Sequence, residues 1–329
     1  MQLIDNEGTN DPHLNLALEE YAVRNLDLED SAYLLFYVNR PAIIVGKNQN
    51  TLEEINHRYV EDEGIHVVRR ISGGGTVYHD LGNLNFSFLR RLQTGNLLNF
   101  QQFTEPVVRV LRELGVPAEL TGRNDIVADG RKISGNAQFT TSNRMFSHGT
   151  LLFASELDRV QEALTVKIGK IESKGLKSVR SRVANVSEFL AAPMNLEEFR
   201  ERLLRGIFGS SEPPLRRLTD AEWQKVHELA DSKYRQWDWN YGESPDFNLQ
   251  KVHRFPIGEI DCRLDVHHGV IESVKVYGDF LGLGEISELE RALTGIAYSP
   301  DALRGAIERL DLDHYFGGLD HSELVELLY

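Results

Sequence analysis

The sequence predicts an α/β (α+β) protein with a large N-terminal region and a small C-terminal α/β unit. Three observations carry this expectation. Strand-like alternation brackets a run of three glycines, with Ile65 and Val67 before it and Val77, Leu84, Phe86 and Phe88 after it. Helical patterns with start and stop signals are interleaved with those strands. The segment Trp237-Asp238-Trp239-Asn240-Tyr241-Gly242-Glu243-Ser244-Pro245 then reads as a boundary, aromatic anchors followed by turn residues. It divides the chain into residues 1–245 and 246–329.

Taken in order, Asp11-Pro12 is an N-cap with proline at the first helical position, opening a helix through Leu14–Tyr21. Tyr33–Val38 and Ala42–Val45 read as strands joined at Asn39-Arg40-Pro41. Thr51 caps a second helix, Glu54 completes a capping box, and Gly64 ends it. Strand Ile65–Arg70 leads into the glycine turn. An amphipathic helix covers Phe100–Leu114 and stops at Gly115 and Pro117. Asp125–Ala128 and Lys132–Phe139 flank Asp129-Gly130, a strong hairpin signal, and Phe146–Phe153 is a third strand. From Glu156 to about Gln236 the chain is helical, with breaks at Pro193 and Pro213-Pro214. Beyond the boundary, Gly258–Val266 and Val270–Tyr277 form a second hairpin, and two or three helices follow.

Composition narrows the function. At 329 residues the chain has room for two domains, and 41% hydrophobic with 26% charged residues describes an ordinary globular protein. A net charge of −14 argues against nucleic acid or anionic membrane as partners. Residues 246–329 hold 7 Lys and Arg against 16 Asp and Glu, so most of the net negative charge of −14 sits there. The single cysteine, Cys262, rules out an internal disulfide and fits a reducing compartment. No targeting pattern is visible, and apolar runs such as Leu34–Val38 are far short of the ~20 residues that span a bilayer. A cytoplasmic location is expected.

Arg69-Arg70-Ile71-Ser72-Gly73-Gly74-Gly75-Thr76-Val77-Tyr78-His79-Asp80 is the most informative stretch. Consecutive glycines accept φ > 0 and leave N–H groups uncovered, a nest for an anion, and two arginines add fixed charge. A glycine-rich hairpin with solvated arginines is the plainer alternative. Neither GxxxxGK[ST] nor GxGxxG is present, which argues against P-loop ATPases and Rossmann dehydrogenases. The second unusual stretch is Gly122-Arg123-Asn124-Asp125 through Lys132-Ile133-Ser134-Gly135-Asn136-Ala137. There a strand lysine stands beside small residues that permit close ligand approach. A basic run (Lys170, Lys174, Lys177, Arg180, Arg182) stands out in an acidic chain, although a solvated face would look the same. His267-His268-Gly269 reads as a solvated turn, since adjacent strand residues point to opposite faces.

These segments, with Gly82-Asn83-Leu84-Asn85, Ser87, His148-Gly149-Thr150 and Glu172–Asn185, resemble the lipoate–protein ligase A family along essentially the whole chain. The resemblance implies the fold of the biotin/lipoate ligase catalytic domain, a mixed sheet flanked by helices, with a small accessory domain. It implies that lipoate (or octanoate) and ATP give lipoyl-AMP and pyrophosphate, and that the acyl group passes to a lysine of an acceptor. E2 subunits of α-ketoacid dehydrogenases and glycine-cleavage H protein are the implied acceptors. Lys132 is the expected catalytic cation, bridging acyl carbonyl and α-phosphate. Arg70, Gly73, Gly74, Gly75, Thr76, Val77, Tyr78, Asn83, Lys174 and Arg180 are assigned with it to ATP and adenylate. Arg70, Ser72, Gly74, His79, Lys132, Ala137, His148 and Gly149 are assigned to lipoate. Asp125 is the candidate Mg²⁺ ligand, and Asp80 and Asn124 are further candidate site residues. Val45, Val77, Phe86 and Ala137 are candidate walls of the apolar slot. An ATP-independent octanoyl- or lipoyl-transferase of the same fold is the alternative, and a non-catalytic lipoate-binding protein is another. A biotin ligase would carry a GRGRxGR-type loop, which is missing.

Overall fold

The computed structural model describes residues 1–92, 99–122, 124–141, 143–164, 182–210, 212–241 and 247–329. They fall into two compact units. The first comprises Met1–Val45, Leu52–Arg69 and Thr76–Asn240; the second comprises Gly46–Thr51, Arg70–Gly75 and Tyr241–Tyr329.

The first unit is built on a mixed eight-stranded sheet. Its strands are β1 (Gln2–Ile4), β2 (Tyr33–Tyr37), β6 (Asn83–Arg91), β7 (Ala118–Thr121), β8 (Asp125–Ala128), β9 (Arg131–Thr140), β10 (Arg144–Leu152) and β11 (Leu215–Arg216). The spatial order is β11-β1-β2-β6-β10-β9-β8-β7, parallel across β11, β1 and β2 and antiparallel from β2 onward. A smaller sheet holds β3 (Ala42–Val45) between β4 (His66–Arg69), which is parallel to it, and β5 (Val77–His79), which is antiparallel. The mixed sheet flanked by helices is therefore as the family resemblance implies.

Side chains alternate across a sheet, so register sorts them by face. Phe86 lies opposite Gly149 and Phe88 opposite Ser147, and the two phenylalanines join a core with Val107 and Leu111 of α4 (Gln101–Glu113) and Phe199 and Leu203 of α6 (Leu196–Phe208). Ser87 lies opposite His148 on the other face, where Glu19 of α1 (Pro12–Asn25) meets that histidine. One face is an apolar core; the other carries polar groups.

The glycine turn is not a hairpin. The strands on either side of it both pair with β3, one along each edge, so the turn carries the chain across the end of the small sheet. The helix expected from Thr51 to Gly64 is two: α2 (Thr51–Glu54) and α3 (His57–Asp62). Asn56 interrupts it, capping Tyr59 N–H with its side chain while its own N–H and Nδ2 bind Ala163 and Glu162 carbonyls at the end of α5 (Leu157–Ala163). A tertiary contact thus ends the first helix early and caps the second. A 3₁₀ turn (Val186–Phe189), α7 (Asp220–Leu229), a π-helical turn (Ala230–Tyr234) and α8 (Trp237–Asn240) complete the unit.

The second unit has an antiparallel sheet of β12 (Leu249–Phe255), β13 (Gly258–His267) and β14 (Val270–Gly278). Its helices are α9 (Ile286–Leu293), α10 (Pro300–Ile307), α11 (Leu312–Phe316) and α12 (His321–Leu328), one more than the upper expectation. Ile260, Cys262, Leu264, Val274 and Val276 form the apolar cluster with those helices. Strand β12 escapes prediction because it is an edge strand whose exposed residues Gln250, Val252, His253 and Arg254 follow no clean apolar alternation.

Candidate active site

The β8–β9 hairpin positions Lys132. Asp129 (φ 48°) and Gly130 (φ 73°) make the left-handed two-residue turn that the Asp-Gly pair predicts. A bulge between Ile126 and Val127 shifts the register, so that Val127 faces Lys132 while Asp125 faces Gly135. The Lys132 ammonium lies 2.8 Å from Asp125 Oδ1. Gly135 leaves room beside the pair: a Cβ there would stand 3.0 Å from Lys132 Nζ, so the ammonium would have to give way slightly. On the hairpin's other side the Lys132 carbonyl accepts Ala184 N–H at 2.9 Å. Asn124 and Asn136 clamp the start of β8 to β9: each side-chain amide donates to the other's carbonyl, and Asn136 N–H also donates to Asn124 O. Both side chains of the Lys132–Asp125 pair remain more than a third exposed, so an incoming anion can reach the ammonium.

The polar face of the large sheet holds His148. Its Nδ1 is 3.0 Å from both carboxylate oxygens of Glu19, its ring is 4.8 Å from Phe146, and Ala137 is its partner across the β9–β10 register. Gly149 allows close packing on the core face: a Cβ would stand 2.1 Å from Asn136 Oδ1 and 2.5 Å from the Phe86 ring. His79 is buried on β5, with Nδ1 3.0 Å from Asn39 Nδ2, and Asn39 Oδ1 accepts from Asn15. Buried Asn83 donates to Asn85 Oδ1. Asp80 uses both oxygens on backbone, accepting Gly82 N–H and Glu156 N–H, so its carboxylate braces the strand entry and the start of α5. Tyr78 is buried on β5, and burial pushes its phenol up from its ordinary value. Val45 closes β3 opposite Arg69.

The glycine loop belongs to the second unit. Arg70 is 5% exposed and turns into its own loop, donating to Ser72 Oγ (3.0 Å), Gly73 O (2.6 Å) and Gly75 O (2.8 Å). The expected open nest is partly closed: Gly74 (φ 89°) donates its N–H to Phe280 O at 3.2 Å. Glycine is required for two close approaches. A Cβ on Gly73 would stand 2.7 Å from Phe280 O, and one on Gly46 would stand 1.9 Å from Gly74 O. Lys47 N–H donates to Ser72 O, and Lys47 Nζ pairs with Glu285 at 2.7 Å. Arg70 thus organises the loop from within by satisfying its carbonyls.

Lys174 and Arg180 lie outside the described residues, and Arg182 is exposed. Cys262 is fully buried, and burial drives its thiol far above the ordinary range. At the C-terminal hairpin, His267 Nε2 is 3.0 Å from Asp265 Oδ1, and Glu272 brings a third donor within 4.8 Å across the bulge at Asp265/Val266. Sequence spacing hides that third group, since it comes from the opposite strand. Sequence reading also passes over Glu19, Asn39 and Asn15, whose polar character within buried segments was the available signal. Among the described residues, no helix is long and apolar enough to cross a membrane.

Comparison with known proteins agrees over the whole chain. Residues 11–208 match the lipoyl protein ligase A/B catalytic domain, and residues 244–328 match the bacterial lipoate protein ligase C-terminus. Lipoate-protein ligase LplJ of Bacillus subtilis is 55% identical over all of both chains. Lipoate–protein ligase 1 of Staphylococcus aureus is 52% identical, again over all of both. The structure of P. falciparum LipL1 in complex with lipoate superposes with a TM-score of 0.80, covering 94% of each chain; at 24% identity it speaks for the fold. A lipoate-protein ligase A bound with ATP matches at 31% identity and TM-score 0.62, covering 73% of this chain and 98% of the other. The bipartite ligase of Thermoplasma acidophilum, studied with its E2 lipoyl domain, matches at 32% and 0.66, covering 75% and 98%. By fold, by sequence from end to end and by both of its matched regions, this chain belongs to the lipoyl protein ligase A/B family.

Proposed function

We propose that the chain is an ATP-dependent lipoate–protein ligase, with Lys132 as its catalytic cation. The observation that carries the reading is the Lys132–Asp125 pair on the hairpin, in a chain that matches named ligases along its whole length. The chemistry asks for such a cation. A carboxylate oxygen of lipoate attacks the α-phosphorus of ATP; the new C(O)O–P bond forms as the bond to pyrophosphate breaks. The Lys132 ammonium offsets the charge of two anions brought together, and it does so in a preorganised position. In the second step an acceptor lysine amine attacks the acyl carbonyl, an amide forms, the acyl–AMP bond breaks, and the amine's proton is lost. The same ammonium then steadies the carbonyl oxygen.

Asp125 fits a Mg²⁺ ligand, being a hard oxygen donor with a half-exposed side chain beside the cation that faces phosphate, and Mg²⁺ commonly takes one or two carboxylates plus phosphate oxygens. Bound there, Mg²⁺ would supply charge neutralisation for the leaving pyrophosphate. The glycine loop with Arg70 and Ser72 is assigned to the adenylate and the acyl carboxyl, and Glu19, His148, Ala137 and His79 to the acyl chain. E2 subunits and glycine-cleavage H protein are the proposed acceptors, the cytoplasm the proposed location, and residues 1–245 and 246–329 the catalytic and accessory parts. The buried, disfavoured thiolate of Cys262 supports a ligase over a transferase that works through a cysteine nucleophile.

Lipoate-dependent ATP–pyrophosphate exchange, run without acceptor, tests the reading. Wild type exchanges label, and Lys132→Ala loses on the order of 10²–10³ in rate. Acyl transfer from a loaded carrier with no exchange would instead make the chain a transferase.

A further inference from the structure

We propose that Trp239 and Asn240 are positioning residues for the Arg70–Gly75 loop, acting through the backbone of Arg69. This rests on the assignment of that loop to substrate. Four hydrogen bonds join one residue to this dipeptide. Arg69 N–H donates to Asn240 Oδ1 (2.8 Å), and Trp239 Nε1–H donates to Arg69 O (2.8 Å). Arg69 Nε donates to Trp239 O (2.9 Å) and Nη2 to Asn240 O (3.2 Å). In a strand, the N–H and C=O of one residue point to the same side, and β4 is an edge strand. Here the side-chain amide and the indole take the place of a neighbouring strand at the last residue before the loop. Arg69 is buried, so each of these groups needs such a partner.

The dipeptide is itself held from behind. Asn240 Nδ2 donates to Tyr234 O (2.7 Å) and Gln236 O (3.0 Å). The π-helical turn closes its hydrogen bonds one residue wider than an α-helix, and in it the consecutive Lys233 and Tyr234 both reach Glu20 Oε2, at 2.8 and 2.7 Å. Lys233 Nζ also sits 4.1 Å above the Trp239 ring. A continuous set of contacts therefore runs from α1 through the turn to Arg69. Glu20, its anchor on α1, adjoins Glu19, which binds His148. A loop whose interior is tied by Arg70 has its entry tied by Trp239 and Asn240. Small errors in where it begins become errors in where its donors meet the substrate.

Trp239→Phe removes the indole donor and keeps an aromatic ring beneath Lys233; Asn240→Ala is the second variant. The readouts are KM and kcat in pyrophosphate exchange, melting temperature, and the rate of tryptic cleavage after Arg69 and Arg70. The expected result is a KM for ATP raised on the order of tenfold with kcat changed far less, faster cleavage after Arg70 and a melting temperature close to wild type. A folded variant with wild-type KM and cleavage rate overturns the positioning role while leaving the ligase reading intact. So does loss of activity that only tracks loss of folded protein. A wild-type chain without exchange overturns the ligase reading, and this one with it.

Discussion

Cys262 sits on the helix-facing side of β13 with no solvent exposure, and burial first, then Asp261 and Glu290, make its thiolate unfavourable. Reactivity follows the thiolate. We therefore expect an alkylating reagent to leave the native chain unlabelled and to modify it fully in denaturant, with Cys262→Ala retaining pyrophosphate exchange. Rapid labelling of native protein would contradict this. Gly149 and Gly135 show a different constraint at the same scale. Each sits where a methyl group would meet another side chain, Asn136 and Phe86 at one, Lys132 at the other. Their role is space for neighbours; neither has a positive φ.

Among the elements, α6 is a clear case of local signals agreeing with packing. Asn195 Oδ1 accepts Glu198 N–H at 2.9 Å, and Glu198 returns the bond to Asn195 N–H at 2.8 Å. Phe199 and Leu203 then enter the core. Asn195→Ala is expected to cost about 1 kcal/mol of stability, measured by urea unfolding. A change within error would mean that packing alone holds the helix start. The β8–β9 hairpin was legible in the sequence, because its Asp-Gly turn fixes the register that places Lys132. The α2–α3 break was not, because the carbonyls that capture Asn56 belong to residues more than a hundred positions later. The glycine turn was legible as a turn but not as a crossing of the small sheet, since alternation reports a strand and is silent on its partner.

For the whole molecule, two carboxylates held in ion pairs, Asp11 and Glu20, contribute to the response to acid. Burial alone would raise the Asp11 carboxyl, but hydrogen bonds from His13 and Arg235 hold it below its ordinary 3.8. Burial opposes ionisation of Glu20 as well, and Lys233, Tyr234 and Arg24 together bring it below 4.5. Both groups bind fewer protons folded than unfolded. Their contribution is complete above about pH 4.5 and is lost as pH falls through the folded values. The urea midpoint should therefore fall steadily below pH 4.5, and Glu20→Gln should flatten that fall; parallel curves for the two proteins would exclude Glu20 as a contributor. The sequence by itself determined the α/β class, the main strands and helices, the hairpin that carries Lys132, and the family to which the motifs point. Those features rest on local periodicity, turn chemistry and runs of characteristic residues. Only the tertiary structure decided that Asp125 meets Lys132 through a bulge, that Arg70 ties its own loop, that Glu19 meets His148, and that Trp239 and Asn240 hold Arg69. Each of these joins groups whose adjacency depends on sheet order, register or folding of a loop, none of which is encoded in the spacing of residues along the chain.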